Sequence, residues 1–140
     1  MSDTPEPGGA PRRRIVRHWA PTLAATAALI YASLRPVEPA APAFLQADKL
    51  LHMAAYAVLA LLIAHALART TRLRPADVAL AAIVWASALG ALLEQVQHYV
   101  GRSCDFLDVV ANVAGATLAV LLRVLLLRRR GRPSEPTTAD

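Results

Sequence analysis

Apolar residues in this chain come in four long, almost uninterrupted blocks, and the charges gather between them. A helix needs roughly 20 apolar residues, within about 17–25, to cross the hydrocarbon of a bilayer. Measured against that length, the pattern predicts membrane helices over about 16–34, 49–68, 76–99 and 107–128. The first lies behind Arg12, Arg13, Arg14 and Arg17, with Trp19 at the interface and Pro21 in its first turn, where a missing amide hydrogen matters little. Asp48 and Lys49 open the second, and Arg69, Arg72 and Arg74 close it. The third follows Pro75 with Asp77 in its first turn, where the helix dipole favours an acid. Arg123 lies about one turn from the end of the fourth, within snorkelling reach of the headgroups, and Arg128, Arg129 and Arg130 end it. The expected fold is all-α, an integral membrane bundle of four transmembrane helices spanning residues 15–130.

Residues 1–14 and 131–140 lack periodicity and are expected to be disordered tails. Residues 35–47 hold Pro36, Pro39 and Pro42 and read as a stiff extended connection. No internal repeat is visible. Orientation follows from the excess of bases in cytoplasmic loops: twelve bases fall on one side of the four-crossing arrangement, against Arg35, Lys49 and Arg102 on the other. Both termini are therefore expected in the cytoplasm. The rival, a cleaved signal peptide, is disfavoured by the length of the first block and the lack of a clean A-x-A site.

Composition agrees. The 140 residues are 56% hydrophobic and 18% charged, which excludes a disordered chain. Fourteen of the fifteen bases are Arg, beside abundant Ala, as in a GC-rich bacterial genome. The pI of about 10.3 invites a nucleic-acid reading, but the bases cap apolar blocks and form no basic face interleaved with aromatics, so no nucleic-acid partner is expected. The single cysteine, Cys104, permits no intrachain disulfide, and no zinc-ligand spacing is present.

The topology puts the unusual polar residues at one depth. Asp48, His52 and Tyr56 recur at i, i+4, i+8 on the second helix, with Lys49 beside them. Glu94, Gln97 and His98 share a face at the outer end of the third, and Arg102 lies in the following turn. Asp108 and Asn112 open the fourth, with Gly115 beyond them and Asp105 before. An ionisable group in hydrocarbon costs about 2.5–3.5 kcal/mol, so such groups face one another or water. Two readings follow. One is a polar clamp that fixes helix register, pairing Glu94 with Arg102 and Asp48 with Lys49 or His52. The other is a site open to the outer face, made of Asp48, Lys49, His52, Tyr56, Glu94, Gln97, Arg102, Asp108 and Asn112. If the site is catalytic, the candidates are His52, Glu94, Arg102 and Asp108, with Glu94 or His52 as general base. Asp105, Asp108, Glu94 and His52 are a chemically legitimate metal set, but no metal motif supports it, and neither a metal nor another cofactor is expected. His18, His65, Trp19 and Trp85 read as interfacial or packing residues, Cys104 as incidental, and a Ser nucleophile has little support.

The series Asp48-Lys49-x-x-His52-x-x-x-Tyr56, Glu94-x-x-Gln97, Arg102 and Asp108-x-x-x-Asn112-x-x-Gly115, with Ser33-Leu34-x-Pro36 ending the first helix, resembles the VanZ-like family of small bacterial membrane proteins. The resemblance covers roughly residues 19–120. Ala119 departs slightly, since a second Gly is common there, but Ala still permits close packing. It implies a polytopic helical membrane domain; the family is named for a protein associated with resistance to the glycopeptide teicoplanin. A glycopeptide-resistance-like role is not transferred to this chain. The resulting expectation is an envelope protein of the bacterial inner membrane, with the bilayer and a lipid headgroup or lipid-linked cell-wall precursor as partners.

Overall fold

Backbone in hydrocarbon finds no water to bond, so apolar blocks of this length close their hydrogen bonds internally as helices. The computed structural model describes residues 9–35, 44–99 and 105–130. It contains α1 (Gly9–Leu34), α2 (Phe44–Thr70), α3 (Pro75–Tyr99) and α4 (Phe106–Arg130), with no strand among the described residues. Three segments are long and apolar enough to cross a membrane: Ala47–Thr70, Pro75–Tyr99 and Phe106–Arg130. α1 is not among them, because Arg17, His18, Pro21, Thr22 and Thr26 dilute its apolar stretch.

Two helices start earlier than the hydropathy pattern predicts. α1 begins at Gly9, so the part of the expected basic tail from Gly9 onward is helical and Pro21 sits inside the helix instead of in its first turn. Arginine is a good helix former, and an established helix propagates readily through it. Pro21 leaves the Arg17 carbonyl without its usual amide partner. α2 begins at Phe44, so residues 44–47 are helical where an extended connection is expected. Pro36, Pro39 and Pro42 lie outside the described residues. α3 and α4 fall close to expectation, Pro75 opening α3 where its ring costs no helical hydrogen bond.

α2 is the hub, touching all three other helices and packing most extensively on α4. Leu59, Ile63, Val78 and Val120 fill the core. Ala60, Ala64, Ala82, Ala86 and Ala116 are fully buried between them, and their small side chains let the helices approach. Leu80, Val84, Leu118, Leu122 and Leu125 point outward, apolar surface that suits lipid tails.

Side-chain contacts fix which helix ends meet. Trp19 Nε1 donates to Thr70 Oγ1 at 3.2 Å, and the Trp19 ring stands 5.7 Å from that of Trp85. Trp85 is half exposed, so it both packs and faces outward. The start of α1 thus lies beside the end of α2. At the opposite end, the close of α1 and α3 meets the start of α2 and α4.

Candidate functional site

Asp105 organises that second end. It caps α4: its Oδ1 accepts the Leu107 amide at 2.9 Å, and its carbonyl accepts the Asp108 amide at 2.9 Å. Its own amide donates to Glu94 Oε1 at 2.8 Å, which ties the cap to α3. Its Oδ2 receives Lys49 Nζ from α2 at 2.5 Å, and the same ammonium reaches Asp108 Oδ1 at 3.3 Å. The Lys49 ammonium, with support from the Leu107 amide, holds the Asp105 carboxyl below the usual aspartate range, while partial burial opposes the shift.

One turn deeper, a second set forms. With its proton on Nδ1, His52 donates to Asn112 Oδ1 at 3.2 Å, while its Nε2 stands 3.9 Å from Asp48 Oδ1. Asn112 is 1% exposed and Tyr56 3%. Both lie against Gly90, where a Cβ would stand 2.9 Å from Asn112 Nδ2 and 3.0 Å from Tyr56 Cε1. Gly90 therefore makes the room that lets the polar side chains of α2 and α4 pass beside α3. Gln97 Nε2 donates to the Ser33 carbonyl at 3.3 Å and links α3 to α1.

The structure therefore brings together Asp48, Lys49, His52, Tyr56, Glu94, Gln97, Asp108 and Asn112 at one end of the bundle. Glu94, Gln97, Asp108 and Asn112 are buried. Arg102 lies outside the described residues, as do Ser103 and Cys104, and with Arg102 goes the expected Glu94 pairing. Lys49 pairs with the two acids of α4, and Asp48 faces His52. Two contributors lie outside the set expected to form the open site, although the sequence already places Asp105 beside it and among possible metal ligands. Asp105 carried a signal, an acidic residue just before an apolar block in the position of a helix cap. Gly90 carried a weaker one, a glycine inside a helical pattern. As to metals, the ligand atoms of Asp48, His52 and Asp108 lie within 4.8 Å of one another, a group that shares His52 and Asp108 with the set weighed from the sequence and has Asp48 in place of Glu94 and Asp105. Lys49 already engages Asp108 there.

An open groove of about 400 Å³ runs between α2 and α4 beside this cluster. Lys49 stands on its lining, and Leu50, Met53, Leu107, Val110, Ala111 and Ala114 make the rest.

Apolar helices of spanning length with a buried polar cluster at one end define an all-α transmembrane protein. The chain belongs to the VanZ/LLP1 family, whose model matches residues 12–127. No curated protein and no solved structure matches it.

Proposed function

We propose that this chain is a bacterial inner-membrane protein with four crossings and both termini in the cytoplasm. At the outer ends of α2–α4 it binds the headgroup of a lipid or lipid-linked envelope precursor. The observation that carries the reading is the adjacency of a polar cluster and an apolar groove that share Lys49, an arrangement suited to an amphiphile. Among the described residues the cluster holds four carboxylates, Asp48, Glu94, Asp105 and Asp108, against the single ammonium of Lys49. Lys49 is engaged by two of them. Those carboxylates can accept from the hydroxyl or ammonium donors of a polar head.

Filling the groove tests this. Ala114→Trp should expel co-purifying lipid from the full chain while leaving its helicity and melting temperature near the parent values, because Ala114 lies on the groove wall and not in the core. Unchanged lipid content in a well-folded Ala114→Trp protein would sink the proposal.

A second reading has its own support: the contacts Lys49–Asp105, Asp105–Glu94, His52–Asn112 and Gln97–Ser33 all join different elements, as a pure packing clamp requires. Under that reading lipid content follows stability alone. In an enzyme, Glu94 or His52 would serve as general base, and turnover of a lipid substrate by the purified protein, abolished in Glu94→Gln, would mark it.

A further inference from the structure

The opposite end of the bundle carries a separate constellation that the polar cluster does not explain. The rings of His18 on α1 and His65 on α2 stand 5.5 Å apart. α1 leaves this end as α2 arrives, so the residue one turn nearer the end is Arg14 on α1 and Arg69 on α2. Two i, i+4 pairs, Arg14 with His18 and His65 with Arg69, therefore face each other across the α1–α2 seam. Arg14, Arg17, Arg69 and His65 all lie near enough to His18 to act on its charge. Among the described residues none of the three arginines has a carboxylate within ion-pair distance. The first turn of α1 holds no acid either.

A general excess of cytoplasmic bases does not require this placement, since charges anywhere in a loop satisfy it. Cations gathered from two helices onto one seam repel one another, and an anion seated between them removes that repulsion. The Trp19–Thr70 hydrogen bond joins the same two helices here, and Thr70 is the last residue of α2, where the spanning segment ends. The anion abundant at that depth is a lipid phosphate, and basic pockets between transmembrane helices are suited to it. We propose that Arg14, Arg17 and Arg69, with the His18–His65 pair, form a binding site for the phosphate of an anionic phospholipid. Planar guanidinium groups suit phosphate oxygens, and the exposed apolar flanks of the helices leave the acyl chains in the bilayer.

The test uses the full chain in nanodiscs of mixed phosphatidylcholine and phosphatidylglycerol, with the lipid retained after transfer to detergent as the readout. The parent should retain phosphatidylglycerol preferentially, and Arg14→Gln/Arg69→Gln should lose that preference by about tenfold. Arg128→Gln/Arg130→Gln removes the same charge from the end of α4 and should keep it. Equal loss in both double variants would mean diffuse attraction and overturn the site, as would full retention in Arg14→Gln/Arg69→Gln. Added inorganic phosphate should not displace the lipid; displacement at millimolar concentration would assign the site to free phosphate instead. A phosphatidylglycerol with a photoreactive headgroup, used on the parent chain, keeps the proposal open to refutation even if the variants fold poorly. Crosslinks should map to the start of α1 and the end of α2, and crosslinks confined to Arg128–Arg130 would overturn it.

Discussion

Gly115 of α4 lies directly on the backbone of Met53 in α2: a Cβ built on it would stand 2.0 Å from the Met53 carbonyl oxygen. No side-chain rotation relieves such a clash, so the smallest possible substitution forces α2 and α4 apart. Gly115→Ala should destabilise the bundle by about 3 kcal/mol or more, at or above the upper end of ordinary overpacking. Thermal unfolding in detergent checks this, and a melting temperature within error of the parent would refute the close crossing.

Asn112 sits buried with His52 as its partner. Asn112→Ala removes that partner and opens space beside Gly90, and should cost about 1–3 kcal/mol. Ala at Gly90 places a methyl group on the crowded Asn112 and Tyr56 side chains, so Gly90→Ala should also destabilise. Combining it with Asn112→Ala should recover part of the loss, because the deleted amide is one of the two groups the methyl would strike. Strict additivity in that double-mutant cycle would show that the two sites do not touch.

Lys49 and Asp105 are 31% and 42% exposed at their side chains, so water screens the pair. Lys49→Gln should therefore leave the melting temperature close to that of the parent. If the cluster binds a headgroup, co-purified lipid should nevertheless change in composition. A large stability loss with unaltered lipid would favour the clamp.

The depressed pKa of Asp105 sets an acid limit on the same contact. A carboxyl whose folded pKa lies below its unfolded value, near 3.8, adds stability that is fully present above that value and fades as pH falls through the folded pKa. The parent should lose part of its stability below about pH 4, and Asp105→Asn should flatten that segment of the curve. Identical acid profiles for the two proteins would remove Asp105 from the account.

Orientation rests on counted bases and is open to direct trial. Reporter fusions after Arg74 and after Arg130 should read cytoplasmic, and those near Pro39 and Ser103 external. An external signal after Arg74 would invert the proposed topology and place the polar cluster on the cytoplasmic side.

Much of this arrangement was legible in the sequence. The charges that bracket each apolar block place the helices, and the alternation of chain direction carries Lys49, Glu94 and Asp108 to one end. What stayed hidden depended on helix rotation. α2 is apolar nearly all round because three helices cover part of it and its remaining apolar surface suits lipid tails, so no polar face shows which neighbour meets His52. The choice of Asp105 and Asp108 as partners of Lys49 needs the tilt of α4 against α2, which spacing within one helix does not encode. The early start of α1 was hidden for another reason: a count of apolar residues finds the part that matches hydrocarbon, whereas helical hydrogen bonding continues through arginines at no penalty.

The contacts that join α2 to α4 also impose an order on biosynthesis. The partners that Lys49 and His52 find beyond their own helix are Asp105, Asp108 and Asn112, and each of these pairs is separated by 56 to 60 residues along the chain. When α2 leaves the ribosome and enters the bilayer, none of those partners has yet emerged. A lysine and a histidine near a helix terminus tolerate that interval, because they reach the hydrated boundary layer while they wait. Polar groups placed halfway along α2 would have no such refuge, so late assembly accounts for a cluster confined to one rim of the bundle. The last helix to be synthesised then completes the set, and a nascent chain truncated before α4 should be a ready target for membrane quality control.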